Sequence, residues 1–201
     1  MLSPEHNIGT LVILAVTVAV SLAGFAVPGI LQNCVLRPYQ VVRGQNRDSL
    51  YLSGFMHADF GHLFFNMFSF YFFAPALERR IGTLSFVIGY VLSLMGSMLP
   101  SLARHRDDPD YATLGASGGV TAVIFSYIIL YPTKSLYLLL LPVPIPALLY
   151  AAGYLAYSIY SAQRATGRIN HEAHIAGAVC GMIWIGICVP GAYASLLSRW
   201  L

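Results

Sequence analysis

Hydrophobic positions in this chain run together instead of alternating with polar ones. Six stretches without Asp, Glu, Lys or Arg, interrupted at most by histidine, cover residues 8–36, 60–77, 81–103, 111–133, 135–163 and 173–198. Each is near or above the roughly 17–25 residues a helix needs to span a bilayer. A segment facing lipid must satisfy its own backbone hydrogen bonds, and the strict alternation of a membrane barrel is absent, so the runs predict helices. Their breaks place the helices at about 8–27, 60–77, 83–102, 114–131, 147–162 and 172–197. The fold class is therefore an all-α membrane protein, a six-transmembrane-helix bundle in one domain spanning residues 1–201.

The interruptions carry their own information. Residues 1–7 hold no Lys or Arg, so the first run lacks the positive flank of a secretory signal and is kept as a helix. Pro28-Gly29 closes it. The connection that follows mixes Arg37, Arg43, Arg47 and Asp48 with Val41, Leu50, Phe55 and Met56, the composition of a segment lying partly in the membrane interface. Glu78-Arg79-Arg80, stopped by Gly82, reads as an interfacial charged turn that helps fix the bundle. Residues 104–110 contain six ionisable side chains out of seven and must face water. Pro142, Pro144 and Pro146 prevent a continuous helix over 136–146 and leave the fifth helix short, as a loosely held and mobile element. In the sixth, Gly177 and Gly181 form a Gly-x-x-x-Gly close-packing stripe.

Composition agrees with the pattern. Charged residues make up 9% and hydrophobic ones 57%, with a mean hydropathy of +0.68, against about a quarter charged in soluble domains. The partner implied is the lipid bilayer. A scattered net charge of +3 with no basic run implies no nucleic acid. Cys34, Cys180 and Cys188 are an odd set, and no structural disulfide is expected.

Connectivity then gathers the polar residues. The second, fourth and sixth helices are alternate spans and start from one membrane face, and their first turns hold His62 and Asn66, Ser117, and His174. A position three to six residues below a loop boundary lies roughly 5–9 Å into a helix, at about 1.5 Å per residue. Ser117 sits within Gly115-Ala116-Ser117-Gly118-Gly119, which alone reads as a small-residue packing stripe. His174, Gly177 and Gly181 share one helical face, so the two backbones can approach closely enough for a Ser117–His174 hydrogen bond. An imidazole is a suitable base for a serine near neutral pH, and the positive end of the fourth helix favours a developing oxyanion. Activity should then fall on acidification as the base protonates. His62 and Asn66, four apart, offer donors to the same point. His57 and His171 lie nearer the loops, as exposed or hydrogen-bonding supports.

These residues resemble those of the rhomboid intramembrane serine proteases. The likeness rests on His62-x-x-x-Asn66, Glu78-Arg79-Arg80-x-Gly82, Gly115-Ala116-Ser117-Gly118 and Ala173-His174-x-x-Gly177-x-x-x-Gly181, in order, over nearly the whole chain. It implies a Ser117 nucleophile and His174 base without a carboxylate, and an oxyanion site from the Ser117 backbone N–H, His62 and Asn66. It implies supporting roles for Gly115, Gly118, Thr121, Gly177 and Gly181, a membrane-embedded first loop, and a lateral gate at the fifth helix. Substrates would be transmembrane protein segments cut near the membrane boundary, with no cofactor and no metal. Two departures stand out. Many members carry a Trp-Arg pair in the first loop, whereas the tryptophans here are Trp184 and Trp200. Many bacterial members have a tyrosine one turn after the serine that stacks on the histidine; here Thr121 stands there, so His174 is oriented less firmly or through a Thr121 hydrogen bond.

Rival readings find less support. A metalloprotease helix needs His-Glu-x-x-His, and His171-Glu172-Ala173-His174 is one residue too short. A transporter would show paired half-chain repeats and charged mid-membrane residues. A non-catalytic rhomboid-like protein that binds membrane helices is the alternative, although such relatives typically lack the serine or the histidine. Arg37, Arg43, Arg47, Arg104, Arg106, Arg164 and Arg168 lie in loops on the Ser117 face, against Arg79, Arg80, Lys134 and Arg199 on the other. By the positive-inside rule the Ser117 face would be cytoplasmic. The resemblance implies the opposite, a bacterial inner (plasma) membrane with the site opening to the extracytoplasmic side, and the expectation follows it.

Overall fold

The computed structural model describes residues 7–138, 141–164 and 169–198; Arg168 and Arg199 of the charge count lie outside them. The chain is a helical membrane protein. Helices α1 (Ile8–Ala26), α5 (Phe60–Ile81), α6 (Thr83–Arg104) and α9 (His171–Cys188) are long and apolar enough to cross a bilayer. The short helices α2 (Pro28–Cys34), α3 (Pro38–Val42) and α4 (Ser49–Leu52), with a single 3-10 turn at Ser53–Phe55, make up the first connection. Two further helices occupy the remaining predicted positions, α7 (Ser117–Leu130) and α8 (Ala147–Arg164).

Helix α7 is apolar but only 14 residues long, about 21 Å at the α-helical rise. Its position explains why it can be short. It is hydrophobic all round, as a helix enclosed by other helices must be, and it packs against α5, α6 and α9. Glycines set the spacing of the bundle. Gly89 of α6 lies against the Trp184 indole of α9, and a Cβ at Gly96 would come within 2.8 Å of the Cys180 sulfur.

Glu78 helps fix the bundle as expected of the charged turn, but it does so almost completely buried and not at the interface. Its carboxylate accepts from the Gly9 and Thr10 backbone N–H groups at 2.8 Å each, from the Thr10 hydroxyl at 2.7 Å and from the Thr83 hydroxyl at 2.7 Å. The first turn of a helix leaves its amides without internal partners, and an anion there is favoured by the macrodipole. Glu78 thus caps α1 from the far end of α5, and Arg79 beside it donates to the Asn7 side chain at 3.1 Å.

The proline-broken stretch forms a two-stranded antiparallel hairpin, β1 (Ser135–Leu138) with β2 (Leu141–Pro146), pairing Ser135 with Pro146 and Tyr137 with Pro144. Both strands are edges, where a residue without an N–H is tolerated. The last predicted helix is interrupted. It ends at Cys188, and after Pro190 and Gly191, with φ +89°, the chain turns into α10 (Ala192–Leu197). Proline disfavours helical geometry in the residue before it, which places the break.

Candidate active site

The starts of α5, α7 and α9 meet at one end of the bundle, and the loop ahead of α7 is fixed there by backbone bonds. Leu36 and Thr113 exchange N–H···O bonds of 3.0 Å, and the Gly115 N–H donates to the Ser53 carbonyl at 2.9 Å. The first connection is therefore part of the site's framework. Gly115 is required twice over: its φ of +124° is unfavourable for a side chain, and a Cβ there would lie 2.7 Å from the His62 ring.

His57 completes this framework and is a hydrogen-bonding support, fully buried. The Ser21 hydroxyl donates to the Phe55 carbonyl at 3.0 Å, so the 3.0 Å contact between Ser21 and His57 has Nδ1–H as donor. The other ring nitrogen, Nε2, is left to accept from the Ala116 N–H at 3.5 Å, immediately ahead of the serine. Burial, reinforced by the neighbouring His62, pushes the His57 imidazole down to about 3, so the ring is neutral at physiological pH.

Ser117 is half-buried and is the first residue of α7, where its own N–H and those of Gly118 and Gly119 have no partner within the helix. The seam between α7 and α9 is backbone against backbone. A Cβ on Gly177 would collide with the Gly118 carbonyl and lie 3.0 Å from its Cα; one on Gly181 would collide with the Ala122 carbonyl. The Ser126 hydroxyl closes the seam lower down, donating to the Gly181 carbonyl at 2.8 Å. A Cβ on Gly118 would also sit 3.3 Å from the carbonyl oxygen of Ala173, so the neighbours of Ser117 and His174 touch. Asn170 fixes the start of α9: its side-chain oxygen accepts from the Ala173 N–H, while its amide donates to Ser101 at 2.8 Å and Thr113 at 3.1 Å.

No hydrogen bond joins the Ser117 hydroxyl to the His174 ring in this structure. Catalytic contacts are often long before substrate binds. The His174 ring instead lies against Tyr154 of α8, with centroids 6.1 Å apart and planes inclined by 23°, and meets the His171 ring edge-on at 5.8 Å. His171 is buried, not exposed, and its other ring contact is Tyr157 at 5.3 Å. Thr121 does not bond to His174, contrary to one of the two expectations for it. Its hydroxyl donates to the Ser117 carbonyl at 2.8 Å and lies 3.2 Å from the Tyr154 hydroxyl. Tyr154 is the neighbour that sequence reasoning missed; the signal was Tyr150 and Tyr154, four apart and so on one face of α8.

On α5, Asp59 caps the helix by accepting from the His62 N–H at 2.8 Å. Asn66 is buried and gives one amide hydrogen to the His62 carbonyl at 2.9 Å, leaving a second for another acceptor. Among the described residues no three His, Cys, Asp or Glu side chains converge as metal ligands.

A family profile described as Rhomboid domain matches residues 39–191, which include His62, Asn66, Ser117 and His174. The chain is 30% identical over 155 residues to RHOMBOID-like protein 12, mitochondrial, of Arabidopsis thaliana, covering 69% of this chain and 46% of that protein. It is 36% identical over 74 residues to a Bacillus subtilis (strain 168) protein named "Putative rhomboid protease YdcA", covering 36% of each. Rhomboid protein 1, mitochondrial, of Saccharomyces cerevisiae (strain ATCC 204508 / S288c) is 28% identical over 137 residues, which is 66% of this chain and 39% of that protein. The chain thus spans less than half the length of these relatives.

Proposed function

The chain belongs to the rhomboid family, and from that premise we propose that it is an intramembrane serine endopeptidase that cleaves transmembrane segments of membrane proteins. In this reading α7 and α8 complete a six-span bundle around a Ser117–His174 pair. Ser117 attacks the scissile carbonyl while His174 takes the hydroxyl proton, forming the bond from Oγ to carbon. His174 then returns that proton to the leaving amine, and an acyl-enzyme remains for water to hydrolyse by the same base. The oxyanion of each tetrahedral intermediate is received by the Ser117 backbone N–H, the second amide hydrogen of Asn66 and the His62 ring.

The observation that supports this most strongly is the close approach beside the two reacting residues, Gly177 against the Gly118 carbonyl. A side chain on Gly177 would push the two backbones, and with them serine and histidine, apart. The stitched loop of Thr113, Gly115 and Ala116 serves the same end, because it fixes the first residue of α7 before substrate arrives. The membrane is taken to be a bacterial inner membrane with the site facing away from the cytoplasm; a topology reporter inserted within residues 105–110 checks this.

The alternative, a non-catalytic protein that binds membrane helices, draws on the missing Ser117–His174 hydrogen bond. A serine-reactive phosphonate separates the two. The expected result is covalent labelling of Ser117, mapped by peptide analysis, with none in Ser117→Ala, together with cleavage of a model transmembrane substrate in proteoliposomes. No labelling of either protein would favour the binding role, and labelling at another residue would move the nucleophile.

A further inference from the structure

We propose that Tyr154 is a positioning residue for His174, and that its link to Thr121 makes the docking of α8 a condition for an aligned base. The inference rests on the protease reading above and adds to it a residue on a different helix. Four contacts of the Tyr154 side chain carry it. The Tyr154 ring is offset-stacked on His174 at 6.1 Å and 23°, within the range that aromatic rings prefer. Thr121 commits its own hydrogen to the Ser117 carbonyl, so the 3.2 Å contact between hydroxyls has Tyr154 as donor and Thr121 as acceptor. The same ring also contacts Tyr150, stacked at 5.8 Å and 23°, and Phe125 at 5.8 Å.

One chain of contacts therefore runs from the nucleophile's own carbonyl through Thr121 and Tyr154 to the base. It fixes the plane of the His174 ring relative to Ser117 from outside the α7–α9 seam. Helix α8, whose buried residues are Ala147, Ser158 and Ser161, is otherwise held by the Tyr157 ring against His171 and by Ala147 packed with Ile128 and Leu136. An α8 displaced from the bundle therefore takes the ring away from His174. The base is then aligned only while α8 is docked.

The test compares variants of the full chain in proteoliposomes with a model transmembrane substrate. Tyr154→Leu keeps an apolar side chain but removes the ring and should lower kcat by roughly tenfold, with KM nearly unchanged and phosphonate labelling of Ser117 slowed in proportion. Tyr154→Phe keeps the ring and should lose only a few-fold. Because position 121 lies one turn below Ser117 and within 3.2 Å of the Tyr154 hydroxyl, a ring placed there can occupy the space vacated in Tyr154→Ala. Thr121→Tyr combined with Tyr154→Ala should therefore recover most of the kcat lost in Tyr154→Ala alone. A merely structural role for Tyr154 predicts no such recovery. Wild-type kcat in Tyr154→Leu, or a loss confined to KM, overturns the positioning role while leaving the protease reading intact. A wild type that cleaves no better than Ser117→Ala overturns both.

Discussion

Ten of the fourteen residues of α7 are buried, against three of the eighteen in α8. The first helix meets α9 through glycine backbones that tolerate no Cβ; the second meets its neighbours through aromatic rings and a hydroxyl. Backbone contacts have few alternative arrangements, whereas stacked rings part and re-form at modest cost. The proposed nucleophile thus sits on the backbone-packed side of the bundle, and the ring proposed to aim the base sits on the more sparsely buried side.

Substitutions can break this contrast. The largest effect falls on the nucleophile: Ser117→Ala should reduce cleavage by at least about a thousandfold with an unchanged melting temperature. His62→Ala, which removes a donor beside Gly115, should lower kcat by roughly a hundredfold in the same cleavage assay. Gly181→Val forces a branched side chain onto the Ala122 carbonyl and should cost about 3 kcal/mol of stability, read as a lower melting temperature in detergent. Acidification acts on the framework. His57 titrates near 6.5 when unfolded and near 3 when folded, so its share of stability is full above pH 6.5 and is lost as pH falls from there toward 3. The melting temperature should decline over that window, less steeply in His57→Asn. Gly153→Val on α8, where a Cβ meets nothing within 4 Å, should change stability by less than about 0.5 kcal/mol. An effect as large as that of Gly181→Val would erase the distinction between the two helices.

Much of this contrast was legible in the chain. Gly177 and Gly181, four apart on one helical face, announced a close approach, and the glycines around Ser117 named its partner surface. The proline run at 142–146 ruled out a helix, although not which irregular structure replaces it. What could not be read depends on residues distant in sequence. Glu78 looked interfacial because its neighbours are arginines, and its burial follows only once α1 docks with its free amides facing it. Tyr154 carried no signal of its role, since its partners Thr121 and His174 lie on other helices. Periodicity reports which face of a helix is apolar; it does not report which ring on that face lands on which imidazole.

The Glu78 cap has a consequence for biogenesis. The amides it satisfies belong to Gly9 and Thr10, made 69 and 68 residues earlier. At roughly 5–20 residues per second on the ribosome, α1 waits on the order of 3–14 seconds for its cap. Until then its leading end must be solvated by water or lipid headgroups, so α1 can settle at its final depth only after the next membrane-crossing helix has been synthesised.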